Sequence, residues 1–393
     1  MRPAPALLLL TVFLFTPLVA FGQIVPPKPG VDMPQAYFDR LAQDKSAFQF
    51  QKAWIQKARR AKELREAYLS VQRSPRMDLA NLPDGARQAM MVSGTTYVPV
   101  LMGKYTNTGT APYPVADLQT KLFTPAPAPS MTALYDEMSY GNLNVTGTVY
   151  DWFTVSGQDT YYEGGCNGLC GSAKTGQFIK ELLQANDPSV NFGLYDNDGP
   201  DGIPNSGDDD GFVDFIAIVQ PETGGECGTS NLWSHRWVVE GWPEFSGPWT
   251  TNDPKTGGGF IKVYDYTLMP ALGSSGGCGS GITEIGVYCH EFGHAFGLPD
   301  FYDTNGGSEG IGEWGLMGSG NWQISTNPVH MTAYSKSELG WIIPTEVGPV
   351  TQAYAISNSA TTPQAYKLSV VEERFVRSDV FPLAGSYSMT CGL

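Results

Sequence analysis

Two histidines four residues apart, His290 and His294, bracket Glu291 in a chain with only four histidines, at 235, 290, 294 and 330. The run from His290 to Asp300 reads H-E-x-x-H-x-x-G-x-x-D and constrains the fold more than any other stretch. Positions i and i+4 share one face of an α-helix, so both imidazoles can serve one ion only if this segment is helical. Gly297 permits a sharp turn after the second histidine, and Pro299 stops the helix from simply continuing. Asp300 can then swing back as a third, oxygen ligand. Three protein ligands with one open position suit a catalytic zinc ion, whereas structural zinc sites are closed by four. Glu291 projects beside the pair, within reach of a water there as a general base. An ordinary helix with a chance histidine pair would leave Gly297 and Asp300 at their spacings unexplained. Glu313 is the alternative third ligand. Asp303 is a weaker competitor.

The first residues read as a signal peptide, 1–22. Arg2 precedes the apolar run Ala6 to Val19, and Ala20-Phe21-Gly22 places small residues before a cleavage point at Gln23. The run is shorter than the ~20 residues of a spanning helix, and Pro17 interrupts it. The expectation is a secreted, extracellular chain without membrane association after cleavage. Its net charge of −15, with 24 Lys+Arg, argues against nucleic acid and suits cation binding. Six cysteines, at 166, 170, 227, 278, 289 and 391, suggest disulfides in an exported protein. Cys166 and Cys170 are close enough to staple one loop, but the remaining pairings stay open. Paired C-x-x-C spacings for a cysteine zinc site are absent.

Residues 23–88 form a basic, helical segment. Phe38, Leu41, Phe48, Trp54, Ile55, Leu64 and Tyr68 recur at near-helical spacing between Met33 and Val71, predicting one or two amphipathic helices. Its place ahead of the metal motif reads as a pro-segment; an integral helical subdomain is the alternative. Residues 89–345 mix strand and helix signals, with strands at 97–102 and 212–219, a strand pair at 143–152, and helices at 118–123, 130–138 and 177–185. This mixture around a long motif helix predicts an α/β (α+β) zincin-like domain. Residues 346–393 read as the start of a β-rich region, truncated at its end.

Between Tyr195 and Asp214 acidic residues crowd together: Asp196, Asp198, Asp201, Asp208, Asp209, Asp210 and Asp214, with Asn197, Asn205 and several glycines. Closely spaced carboxylates on turns suit Ca²⁺, which takes 6–8 oxygen ligands. The loop is therefore a candidate structural calcium site, or a solvated acidic loop.

Several segments in order resemble the immune inhibitor A family of secreted metallopeptidases, the M6 family. They are Tyr135 to Gly141, Leu232 to Trp237, Glu284 to Thr304, Trp314 to Trp322, and Pro328 through Lys336 to Trp341. The resemblance spans about 97–345. It implies that His290, His294 and Asp300 bind zinc, with Glu291 as general base. It also implies that Met317 sits in a Met-turn beneath the ion, as in metzincin-like enzymes. His235 and His330 read as structural.

The function expected is a secreted zinc endopeptidase acting on proteins or peptides and made as a zymogen. Two alternatives stand beside it, a catalytically idle metal-binding or adhesive module and a zinc hydrolase of non-peptide substrates. Oligomeric state is not legible in the sequence.

Overall fold

The computed structural model describes residues 24–71, 82–274, 276–303, 308–324, 326–348, 353–369 and 386–388. The expected signal peptide and Cys391 lie outside them.

Apolar, β-favouring residues build the central strand, Gly94–Lys104, which is buried on both faces. Continuous burial of this kind is the mark of a parallel strand covered on both sides. Leu143–Val149, Gly94–Lys104, Ile216–Thr223 and Asp265–Leu272 lie side by side and parallel. His235–Val238 closes the sheet as an antiparallel edge, with Arg236 opposite Thr267. The expected strand pair at 143–152 is different in detail. Leu143–Val149 and Phe153–Thr154 each pair in parallel with Gly94–Lys104 and not with each other, because the chain passes along one neighbour instead of turning back.

Alternating side chains divide the interior into two cores. Val98, Val100 and Met102 face a layer holding the motif helix, Ile285–Ala295, and the helices Val115–Phe123 and Met131–Met138. Leu101, Ile216, Ile218 and Leu268 face the opposite layer, with the helix Thr175–Asn186 and Trp237 and Trp242. Each such aliphatic side chain contributes roughly 1.5–3 kcal/mol when buried, so the sheet is a rigid platform for the motif helix.

Among the described residues of the 23–88 segment are three helices, Gln35–Gln43, Ile55–Val71 and Asp84–Gln88. Two helices between 33 and 71 match the spacing, but the second leaves Leu64 and Leu69 exposed. Much of the segment's hold comes from the chain outside these helices. Ile24, Val25, Phe48 and Trp54 are fully buried. The Trp54 indole N–H donates to Asp214 (2.7 Å), and its ring packs on Phe296. In the C-terminal region the described residues include three short strands, Thr345–Val347, Tyr366–Ser369 and Ser386–Ser388, which form a separate sheet.

Candidate metal centre

The motif helix is buried along its whole length. Tyr135 fixes it from the next helix by donating its hydroxyl to the Cys289 carbonyl (2.6 Å). The helix ends at Ala295, and Gly297 takes φ +98°, a conformation that favours glycine. The Gly297 N–H returns to the His294 carbonyl (2.9 Å), and the chain reverses toward Asp300. Gly293, inside the motif, has a second reason to lack a side chain: a Cβ there would stand 2.5 Å from Met317 Sδ. Met317 thus packs directly against the helix beside the histidines.

The reversal brings Asp300 onto the histidine pair. His290 Nε2 lies 2.8 Å from Asp300 Oδ1, and His294 Nε2 lies 3.3 Å from the same oxygen. The two Nε2 atoms are 3.2 Å apart. The other nitrogen of each ring is committed. His290 Nδ1 donates to the Leu316 carbonyl (2.8 Å) and His294 Nδ1 to the Leu298 carbonyl (2.7 Å). A carbonyl can only accept, so each Nδ1 carries a proton, and each Nε2 faces inward with a lone pair to offer when unprotonated. Against its burial, Asp300 beside it raises His290, so a proton or cation is favoured there. Two lone pairs and a carboxylate oxygen in mutual contact repel unless a cation or proton lies among them. Ligands about 2.0–2.1 Å from a tetrahedral zinc stand roughly 3.3 Å from one another, and the three observed edges match that scale. The residues fit the ion.

Glu291 is fully buried, and neither of its carboxylate oxygens has a hydrogen-bond partner. Burial raises its carboxyl to about 7, although Arg236 and His290 pull it down. Asp300 goes the other way. Burial pushes it up, but the two imidazoles outweigh that and hold it well below the usual carboxylate range. Burial, then the nearby Arg236 charge, lowers His294 to about 4 and keeps it neutral, as a metal ligand must be.

Arg236 and Glu226 carried no role in the sequence reading. Arg236 Nη1 stands 3.8 Å from Asp300 Oδ2, with both side chains buried. Alternation along the edge strand turns Arg236 away from its core-packed neighbours His235 and Trp237 and toward the motif helix. One basic residue within the aromatic run Leu232 to Trp237 was the available signal, since buried arginines need a partner. Glu226 holds the next turn by accepting from the Ser234 N–H (3.0 Å) and hydroxyl (2.6 Å).

The other candidates lie elsewhere. Glu313 sits exposed on the turn Gly312–Trp314 and is not in the histidine group. His235 has both nitrogens engaged, donating to the Trp233 carbonyl (2.7 Å) and accepting from Tyr266 (2.8 Å). His330 lies 3.4 Å from Glu137. In the acidic loop only Asp196, Asp198 and Asp209 bring oxygens within 4.8 Å of one another. The remaining loop aspartates have other partners. Asp214 accepts from Trp54 and from the Asn197 N–H, Asp208 from the Asp201 N–H, and Asp210 from the Phe212 N–H. Cys166–Cys170 and Cys227–Cys278 are disulfides, and Cys289 is a buried free thiol.

The start of the 23–88 segment lies against the edge strand. Ile24 bridges His235 in antiparallel fashion, and the Val25 N–H donates to the Ser234 carbonyl (3.2 Å). Tyr302 donates to the Ile24 carbonyl, Trp233 to the Val25 carbonyl (3.0 Å) and Trp322 to the Pro26 carbonyl (3.0 Å).

Residues 118–346 match the family model described as immune inhibitor A peptidase M6, catalytic domain. The chain belongs to the M6 peptidase family. The M6 match takes in the motif helix, the edge strand and Met317. The chain is 33% identical over 224 residues to immune inhibitor A of Bacillus thuringiensis subsp. alesti, covering 51% of this chain and 30% of that protein. It is 29% identical over 218 residues to the pre-pro-metalloprotease PrtV of Vibrio cholerae serotype O1 (strain M66-2), covering 52% of this chain and 22% of that protein. The matched stretch therefore spans under a third of either relative. Among the described residues no helix is long and apolar enough to cross a membrane.

Proposed function

We propose that this chain is a secreted zinc endopeptidase whose residues 23–88 act as an inhibitory pro-segment. The observation that carries the reading is the contact among His290 Nε2, His294 Nε2 and Asp300 Oδ1, with both Nδ1 protons committed to carbonyls. His290, His294 and Asp300 would hold the ion, with Asp300 rather than Glu313 as third ligand. Bound zinc polarises a peptide carbonyl and makes water more acidic. Glu291 accepts a proton from the attacking water and returns it to the leaving amine. A carboxyl poised near 7 is suited to both transfers. Arg236 orients Asp300 by engaging the oxygen that does not face the histidines. Met317 forms the apolar floor of the site, in the manner of a Met-turn.

The edge strand His235–Val238 is bonded on one side to Asp265–Leu272. Its other side is suited to an extended substrate backbone adding as a further strand. Ile24 and Val25 take that place, which supports a steric block. The segment's carboxylates Asp32, Asp39 and Asp44 are not in the histidine group, so the block would be steric. We assign structural calcium to Asp196, Asp198 and Asp209. Support comes from Asp196 Oδ1, buried without a partner, and from the crowding of like charges.

The test is casein turnover by the full chain before and after limited proteolysis at 81–88, with and without chelator. Turnover should rise on cleavage, vanish with chelator and return with added zinc. Equal turnover before cleavage would remove the inhibitory role. Turnover indifferent to chelator, or none under any condition, would remove the zinc peptidase.

A further inference from the structure

Away from the histidine centre, two neighbouring parallel strands end beside a second group of carboxylates. Met102 and Val219 are in register, and Tyr105 and Glu222 each lie three positions further along. The short helix Asp159–Glu163 packs there and supplies two more acids. Gly164 ends it at φ +63°, and a Cβ at Gly164 would meet Ala173 Cα at 2.7 Å, so the position of Glu163 is tightly set. Oxygens of Asp159, Glu163 and Glu222 all lie within 4.8 Å of one another.

Three observations point to a ligand. Glu163 is only 3% exposed, and its Oε1 meets no donor, only the neighbouring Glu222 carboxyl. Glu222 Oε2 is likewise buried and meets no donor, only the Glu163 carboxyl. The Tyr105 hydroxyl, on a residue 1% exposed, also has no partner. Burial, then the charges of Glu222, Glu163 and Asp159, raises that hydroxyl well above its ordinary range. Among the described residues no lysine or arginine forms an ion pair with any of the three acids. Buried carboxylates without partners are costly. Burial, then the charges of Glu222 and Asp159, pushes the Glu163 carboxyl up to about 8.

We propose that Asp159, Glu163 and Glu222 form a calcium site, with the Tyr105 hydroxyl bonding to its ligand shell. The donors are all oxygen, which selects a hard cation over a transition metal. Oxygens about 2.3–2.6 Å from one Ca²⁺ stand at most roughly 5 Å apart, a span this group meets. The ion ties the 159–163 helix to the ends of the two central strands. This site is independent of the zinc reading.

Calcium binding by the full chain, measured calorimetrically together with the melting temperature, tests it. Glu163→Gln combined with Glu222→Gln should remove one bound equivalent and part of the calcium-dependent rise in melting temperature. Asp198→Ala, in the separate loop cluster, should leave that equivalent in place. Unchanged stoichiometry in the double variant, with a higher melting temperature whether or not calcium is present, would mean that the acids merely share a proton, and would overturn the proposal. Should the double variant not fold, Asp159→Asn, at the half-exposed rim, should weaken this equivalent by roughly tenfold or more. Unchanged affinity there would equally overturn it.

Discussion

At His290 and His294 the atoms that decide the chemistry are those turned outward. Each Nδ1 proton is held by a main-chain carbonyl, of Leu316 and Leu298, so each ring has one tautomer and one orientation. Asp300 is steadied from its far side by Arg236. Partners of this kind change metal affinity by roughly 10–100-fold when removed. Zinc titration should therefore give a graded series. Asp300→Ala should bind far more weakly than the parent, Arg236→Gln about 10–100-fold more weakly, and Glu313→Gln equally well. A loss in Glu313→Gln with none in Asp300→Ala would reverse the ligand assignment. The histidine spacing, Gly297 and Asp300 made this cluster legible in the sequence, because short-range helix geometry determines it. Arg236 was not legible as part of it, since the residue arrives through strand alternation some sixty positions away in sequence.

The elements around the centre owe their positions to contacts that periodicity does not announce. Residues 49–54 run between two helices of the N-terminal segment, yet they anchor it. The Gln51 and Lys52 N–H groups donate to the buried Asp265 carboxylate (2.9 and 2.6 Å). Burial raises Asp265 from 3.8 to about 7, although these same donors pull it down. The sign follows from linkage. Between those two values the folded chain keeps a proton that the unfolded chain releases, so this contribution is present at low pH and is lost as pH rises through 7. A tenfold difference in proton affinity between the folded and unfolded chain corresponds to about 1.4 kcal/mol. Asp265→Asn should therefore show a shallower fall in melting temperature from about pH 4 to pH 7 than the parent. Parallel curves would show that Asp265 does not titrate in that range. Apolar runs made the central strand and the helices Val115–Phe123, Met131–Met138 and Thr175–Asn186 legible, but the strand expected at 212–219 begins at Ile216, and the strands His235–Val238 and Asp265–Leu272 were not read at all. The pairing of Ile24 with the edge strand was not legible, because nothing local in a proline-rich entry segment specifies a distant partner.

Across the whole molecule, the parallel sheet carries the motif helix on one face and ends in the antiparallel edge His235–Val238. The N-terminal segment covers that edge and meets the acidic loop through Arg60–Asp198 (3.9 Å) and Lys52–Asp210 (3.7 Å). Both pairs are partly exposed and contribute little alone. Trp54, Phe48 and Ile24, all fully buried, hold the segment instead. The basic composition of 33–71 was thus a weaker guide to its docking than its few large apolar residues.

Everything proposed for catalysis rests on one division of labour: His290, His294 and Asp300 bind the ion, while Glu291 acts on protons without binding it. Bound zinc and casein turnover, measured together in Glu291→Ala after removal of residues 23–88, separate the two roles. About one zinc per chain is expected, as in the parent, with turnover lowered by at least ~10²-fold. Loss of the zinc would make Glu291 a ligand, and turnover close to that of the parent would leave it no part in the reaction; either result overturns the assignment.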